Sequence, residues 1–368
     1  KDAFELYDTY GFPADLTRLM AAEKGWSIDE AGFDKALQEQ KQRSRSDANI
    51  ATGDWIEVNP TTSSPVFDGY DHDVLEGVKL IKYRSVEDRD GIHYQLVLDR
   101  TSFYPEGGGQ VGDRGTLSFG NEKIEVVDMI KENDLPIHLA MRLPADVSAS
   151  VTTSIDVKRR RLIEDNHSAT HLLHAALRDV LGDHVQQRGS LLNEEYLRFD
   201  FSHFAKVTPE ELQKIETIVN QKIREDIQLK EDRNIPISVA EKSGARMLFG
   251  EKYGEKVRMI TFDPAYSIEL CGGCHVRSTG HIGFLKIISE SAVAAGVRRI
   301  EAVTADGAEK YVNDQLHQLA QIKSELKNPA DPIKSLKELM AEVKDLKQQI
   351  EAVEAGKATM IKTALMQS

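Results

Sequence analysis

The run Asn166-His167-Ser168-Ala169-Thr170-His171-Leu172-Leu173-His174-Ala175-Ala176-Leu177 decides how much of this chain is read. Apolar residues recur around it at helical spacing, through Leu162, Leu172, Leu173, Ala176 and Val180, which predicts a helix over 158–182. On such a helix His167 and His171 stand one turn apart on one face, so both imidazoles can reach a single ion. Much later comes Cys271-Gly272-Gly273-Cys274-His275. A thiolate and an imidazole on a glycine-rich turn complete a nitrogen and sulfur ligand set of the kind zinc takes in tetrahedral array. Two quartets fit these residues: His167, His171, Cys271 and His275, or His167, His171, Cys271 and Cys274. His174 shares the His167 face and is a further candidate. Four protein ligands normally close a structural site, whereas a catalytic zinc keeps a vacancy. The residue after His167 is Ser168, so the general base of an HExxH metalloprotease is missing, and Glu164 reads as a solvated or outlying carboxylate. A redox role for the two cysteines lacks the βαβ surroundings it needs.

Outward from this helix the pattern changes twice. Upstream, from about 65 to 157, the period is two: Val74 to Tyr83, His93 to Leu98, Lys123 to Met129 and Ser148 to Val157 read as strands separated by Gly, Asp and Asn clusters. Short strands with turn signals between them predict a small antiparallel barrel or sandwich. Residues 49–63 read as a linker or long loop. Residues 1–48 read as helices, broken at Gly11-Phe12-Pro13 and restarted at the capping-box spacing Ser27 to Glu30. Downstream, Leu197 to Phe201 alternates like a strand, and Thr208-Pro209-Glu210-Glu211 opens a helix to about Leu229. Strand-like stretches follow at Ile235–Ala240, Val257–Phe262, Tyr266–Cys271, Ile282–Ser289 and Arg298–Thr304, which predicts an α+β domain. Near the end, Leu336, Leu339, Val343, Leu346, Ile350 and Val353 form a heptad seam. The break Asn328-Pro329-Ala330-Asp331-Pro332 before it predicts an antiparallel helical hairpin, serving as an oligomerisation or spacer arm.

The chain has 368 residues, enough for two or three domains at roughly 100–200 residues each. Hydrophobic residues make up 40% and charged residues 29%, which excludes a disordered class. No apolar run approaches the ~18 residues of a membrane span, and two cysteines three apart cannot staple a fold of this size, so a reducing, cytoplasmic setting is expected. The chain begins at Lys1 and stops within a helical pattern, and so reads as a piece of something longer. Net charge is −13, so any polyanion must be met by local basic patches. Three candidates are Lys158-Arg159-Arg160-Arg161, Arg298-Arg299, and Arg246, Lys252, Lys256 and Arg258. The glycine-rich run Ser102 to Gly115, with Gly107, Gly108 and Gly109 at its centre, exposes backbone N–H groups that suit an anion. It lacks the Lys-Ser/Thr of a P-loop and precedes a strand, which argues against a nucleotide triphosphate. Tight barrel turns explain it equally well.

Taken together, Asp8-Thr9-Tyr10-Gly11-Phe12-Pro13, the Ser102–Gly115 run, the HxxxH pair, Cys-Gly-Gly-x-His and Ala295-Gly296-Val297-Arg298-Arg299-Ile300-Glu301-Ala302 resemble the alanyl-tRNA synthetase family, in the family's order and over nearly the whole chain. The resemblance implies four parts: residues 1–48 as the end of a helical tRNA-recognition region, 60–157 as the β-barrel of an editing domain, 158–305 as its zinc-binding α+β core, and 306–368 as the helical hairpin of a C-terminal dimerisation arm. An aminoacylation core would lie before Lys1. The implied activity is hydrolysis of mischarged Ser-tRNA(Ala) and Gly-tRNA(Ala). Zn2+ would be held by His167, His171, Cys271 and His275; the family usually has Thr at the place of Cys274. Gln187 matches a position lining the editing pocket, with Thr170 and Ser190 as candidate hydroxyl partners of the serine side chain. Gly107, Gly108, Gly109, Arg298 and Arg299 would position the tRNA acceptor end. The arm implies a homodimer. A metal-stabilised tRNA-binding module without chemistry is the alternative.

Overall fold

The computed structural model describes residues 51–89, 91–247 and 253–367, together with Thr17, Ala21, Trp26, Asp29, Gly32, Phe33, Lys35 and Ala36. Of these last, Thr17, Ala21, Gly32, Phe33, Lys35 and Ala36 are helical. The rest of the helical expectation for 1–48, and the basic residue Lys252, lie outside the described residues. The fold is a mixture of helices and antiparallel sheets, and two compact units divide it, Lys1–Ala308 and Glu309–Ser368.

The first sheet of the larger unit has nine strands. They are β1 (Ala51–Thr52), β2 (Ile56–Glu57), β4 (Val74–Val78), β5 (Leu80–Asp88), β6 (Gly91–Leu98), β8 (Gly115–Phe119), β9 (Glu122–Glu132), β10 (Leu135–Ala140) and β11 (Val151–Ile155). Short β3 (Val66–Phe67) and β7 (Arg100–Thr101) pair in parallel beside it. Alternation places Leu80, Leu96, Leu98, Leu117, Ile124, Val126 and Val151 in one core with Phe103 and Met129. Their burial is what holds the sheet, at about 1.5–3 kcal/mol per large apolar side chain. The expected barrel does not close. The ladder runs β1-β5-β6-β10-β9-β8-β11-β4, and β4 and β5, although consecutive through Lys79, are not paired. The free edge of β5 is taken instead by β1 and β2, which bond Val86, Glu87, Lys82 and Tyr83. The stretch expected to be only a linker therefore supplies the strands that cover this edge.

Helix α1 (Val157–Leu181) follows at once. Asp156 ends the preceding strand because its carboxylate accepts the Arg159 N–H at 3.0 Å as the helix cap. Nearly all of α1 from Ile163 to Leu177 is buried. It packs with the four-stranded sheet β12 (Gln187–Leu192), β13 (Leu197–Ser202), β18 (Val297–Thr304) and β17 (Leu285–Ala294), and with α2 (Pro209–Arg224). Thr208 and Glu211 form the capping box expected from the sequence. Helix α2 stops short of Leu229, because Asp226 adopts φ 47° and the Leu229 N–H goes to Arg277 O instead. A three-stranded sheet, β14 (Lys230–Pro236), β15 (Lys256–Phe262) and β16 (Ser267–Leu270), completes the unit. The strand expected over Ile235–Ala240 is corrected: β14 ends at Pro236, which has no N–H to continue a ladder, and α3 (Ile237–Lys242) follows.

Helix α4 (Ala305–Glu325), which belongs to the smaller unit from Glu309 onward, and α5 (Pro332–Gln367) are joined through Lys327 and Asn328, both at positive φ. The antiparallel hairpin expected here is corrected as well. The heptad seam of α5 is exposed, from Leu336 at 41% to Ile350 at 57%, so α4 does not cover it. Leu316, Leu319 and Ile322 of α4 are themselves exposed, too short an apolar stripe to bury a seam on a 36-residue helix. Among the described residues no helix is long and apolar enough to cross a membrane.

Candidate metal centre

His167 and His171 project from the middle of α1, one turn apart, and meet Cys271 and His275 on the turn that leaves β16. The four ligand atoms all lie within 4.8 Å of one another. The Cys271 Sγ stands 3.2 Å from His167 Nε2 and 3.3 Å from His275 Nε2. The imidazole of His275 is 4.3 Å from that of His167 and 4.7 Å from that of His171, centre to centre. Gly273 permits this approach: a Cβ there would fall 2.0 Å from His167 Cε1. Of the two quartets open in the sequence, the converging one contains His275. Cys274 and His174 are not in it. Cys274 is buried, its thiol pushed up to about 12 by burial, and the two cysteines form no disulfide.

The outer nitrogens of two of the rings are hydrogen-bonded by neighbours. Gln110 Oε1 accepts from the Cys274 N–H at 2.8 Å, which fixes the amide's orientation, and it lies 2.8 Å from His167 Nδ1. An oxygen that only accepts requires Nδ1 to carry the proton, leaving the Nε2 lone pair directed at the cluster. Ser168 Oγ lies 3.2 Å from His275 Nδ1 and accepts the Val276 N–H. Glu269 lies 3.3 Å from His171 Nδ1, without hydrogen-bond alignment, and 3.0 Å from His174 Nδ1. Burial pushes the Glu269 carboxyl up, but His171 and His174 beside it outweigh that and hold it below the usual carboxylate range. Burial also pushes His167 and His275 well below the ordinary histidine value, which favours their neutral, ligating form, and it pushes His171 down against the opposing pull of Glu269. Three imidazoles and a thiol, with the rings of His167 and His275 hydrogen-bonded from outside, can hold a metal ion.

The cluster opens onto a cleft of about 500 Å³ lined by Thr170, Gln187, Ser190, Gly107 and Gly108 among others. Gln187 Nε2 donates to Ser190 Oγ at 3.1 Å. Thr170, on the cleft lining, donates its Oγ1 hydroxyl to Asn166 O at 2.9 Å within the helix. Gly109, at φ 85°, lies against Ser190, where a Cβ would meet Ser190 Oγ at 2.2 Å. Arg298 and Arg299, expected at this site, are not brought to it. Both lie on β18 and are spent on carboxylates: Arg298 on Glu290 at 2.6 Å, Arg299 on Asp200 at 2.7 Å. The Lys158–Arg161 run is dispersed too. Arg159 pairs with Glu194, Arg161 with Asp73 and Glu164, and Arg160 is buried on Asp113.

A family model described as "tRNA synthetases class II (A)" matches residues 1–159, and one described as "Threonyl and Alanyl tRNA synthetase second additional domain" matches residues 257–301. An alanine–tRNA ligase of Cytophaga hutchinsonii is 56% identical over 365 residues, covering 99% of this chain and 41% of that protein. The alanine–tRNA ligases of Christiangramia forsetii and Parabacteroides distasonis are 50% identical over 366 residues and 48% over 365, with the same shares covered. The chain belongs to the alanine–tRNA ligase family. It spans about 41% of the length of the relatives it matches. Cys271 and His275 fall within the second match, while His167 and His171 lie between the two.

Three residues at the cluster or its cleft in this ligase segment, Gln110, Glu269 and Tyr70, carry no role in the sequence pattern, and a fourth, Arg258, figures there only within a basic cluster. Gln110 bonds the His167 ring, Glu269 lies beside His171, and Tyr70 and Arg258 line the cleft. Gln110 lies within the glycine-rich run, and Glu269 is a charge between Ile268 and Leu270 on a strand, so both carry a signal. Arg258 was visible only as one cation among several, and Tyr70 gave none.

Proposed function

We propose that this segment is the proofreading part of an alanine–tRNA ligase, hydrolysing the ester that joins serine or glycine to tRNA(Ala). The observation that carries the reading is the cluster His167, His171, Cys271 and His275 opening onto a cleft that Gln187, Ser190 and Thr170 also line. A site built for alanine rejects glycine or serine weakly, since one small group is worth about 1–3 kcal/mol. A second, hydrolytic pocket supplies the missing discrimination.

The donor set suits zinc: three imidazole nitrogens and one sulfur, with Nε2 of His167 and His275 turned toward Sγ. Zinc held there would supply Lewis acidity toward an ester carbonyl or a water. The remaining work falls to the chain itself. Gln187 and Ser190, already bonded to each other, present an amide and a hydroxyl to the hydroxyl of a seryl group. Thr170 offers an acceptor from the helix. Gly107 and Gly108 bring backbone close to the bound end without side-chain bulk. Lys256, exposed on the lining, takes the place expected of Arg298 and Arg299 in offsetting a terminal phosphate.

On this reading residues 1–48 end a tRNA-recognition region, 60–157 and 158–305 form the two parts of the editing domain, and 306–368 begin a dimerisation arm whose exposed seam a second copy would cover. The setting is the cytoplasm, where translation occurs. The second reading, a metal-stabilised tRNA-binding module, is favoured by one observation: four protein ligands suffice for a closed structural site. Deacylation of Ser-tRNA(Ala) and Gly-tRNA(Ala) separates the two. The wild-type chain should release the amino acid, and the Cys271→Ala variant or a chelator should abolish release. Tight tRNA binding with no release would favour the module, and a wild-type rate in Cys271→Ala would refute a role for the cluster.

A further inference from the structure

The turn that carries Cys271 is grasped from outside by two side chains that are not in the cluster. Three successive carbonyl oxygens of this turn each have a side-chain donor. Arg258 Nη1 donates to Cys271 O at 2.9 Å and to Gly273 O at 2.6 Å. Tyr70 OH donates to Gly272 O at 2.5 Å. The two donors also hold each other, the Arg258 guanidinium lying 3.9 Å from the centre of the Tyr70 ring. Behind them Glu231 accepts from Arg258 Nε and Arg233 Nε, both at 2.5 Å, and Arg233 reaches Asp71 at 2.6 Å. Tyr70 comes from the loop after β3, 202 residues before the glycine whose carbonyl it holds. Arg258 is on β15.

We infer that Tyr70 and Arg258 form a clamp that positions the Cys271–Gly273 turn, and through it Sγ of Cys271, so that the affinity and geometry of the metal cluster depend on a side chain supplied by the strand-rich part of the unit. The physical reason lies in the turn itself. Gly272 and Gly273 have no side chains to pack, so their backbone is the most easily displaced of any bearing a ligand. Hydrogen bonds to all three carbonyls remove that freedom at little cost, because a planar guanidinium stacked on a ring is already oriented. Both residues are positioning residues in this account, acting through the turn.

The inference rests on the metal reading, so its test reads the metal. Zinc-loaded full chain is mixed with a chromogenic chelator and the rate of zinc transfer is followed. The cobalt(II)-substituted chain is compared by its visible absorption. Tyr70→Phe keeps the ring and its stacking but deletes one hydrogen bond. Arg258→Lys keeps the charge but loses the fork. Both should release zinc faster by about tenfold, the lower end of what partners behind metal ligands are worth. Both should shift the cobalt bands, and Arg258→Ala should exceed Arg258→Lys. Zinc release at the wild-type rate with an unshifted cobalt spectrum in Tyr70→Phe and Arg258→Lys would overturn the clamp while leaving the metal reading intact. A wild-type chain that takes up neither metal would overturn the metal reading and the clamp with it.

Discussion

His167 Nε2 and Cys271 Sγ stand 3.2 Å apart across 104 residues of chain. Without an ion the two groups share only a weak hydrogen bond, the thiol of half-buried Cys271 donating to the Nε2 lone pair. An ion between them changes that, and the surrounding residues are arranged accordingly, with His167 held from behind by Gln110 and His275 by Ser168.

Gln110→Ala removes the acceptor of both His167 Nδ1 and the Cys274 N–H. Metal affinity should fall by roughly 10–100-fold. The orphaned N–H should cost about 1–3 kcal/mol of stability in the metal-free chain. Competitive titration against a chelator of known affinity measures the first and urea unfolding the second; an affinity equal to wild type would show that Gln110 does not orient His167.

Gly273→Ala places a methyl 2.0 Å from His167 Cε1 and 2.8 Å from Gln110 Oε1. Neither ring nor amide is a free end, so the turn or the imidazole must move. Metal content measured on the purified chain should drop sharply while the far-UV circular dichroism stays near wild type. A variant that binds metal normally would mean that the turn tolerates more than this packing implies.

Arg160 is 1% exposed and paired with Asp113 through two nitrogens, and it also bonds Gly69 O and Ser102 O. The pair joins α1 to the glycine-rich run. Asp113→Ala leaves a buried guanidinium uncompensated and should destabilise by about 3–5 kcal/mol. Replacing both partners, Arg160→Met with Asp113→Leu, should cost less than the single change. Equilibrium unfolding of the three variants decides it, and a near-neutral Asp113→Ala would contradict the account.

His138 lies wholly inside the large sheet, between Thr101 Oγ1 at 2.8 Å and Leu96 O at 3.2 Å. Burial pushes it down from 6.5 to about 4. A folded value below the unfolded one means that the unfolded chain binds the extra proton first. The stabilisation is therefore complete above pH 6.5 and is lost as pH falls toward 4, amounting to about 3 kcal/mol over that window. The buried cluster histidines act in the same direction, so the comparison is with His138→Gln. Unfolding free energy should fall less steeply from pH 7 to 5 in that variant than in wild type, and parallel slopes would remove His138 from the explanation.

The local elements were legible because their causes are local. Thr208, Pro209 and Glu211 announce the start of α2 by the bonds they form within one turn, and alternation in Lys123–Met129 marks β9 whatever it pairs with. Expectations failed where a distant partner intervened. The β5 edge is covered by residues read as linker, Pro236 ends a strand that hydrophobicity alone would continue, and the apolar stripe of α4 is too short to cover α5.

At the site the same division holds. An HxxxH pair on a helix and a cysteine and histidine on a glycine turn have their chemistry written into residue type and spacing, and these determined the ligand candidates by sequence alone. Which histidine or cysteine completes the set, which way each ring faces, and which cations remain available for an anion were decided by the tertiary structure. Burial and hydrogen bonding depend on the neighbours that the fold brings up: Asp200 and Glu290 claim Arg299 and Arg298, while Tyr70 from the loop after β3 and Gln110 from the glycine-rich run hold the turn and the imidazole.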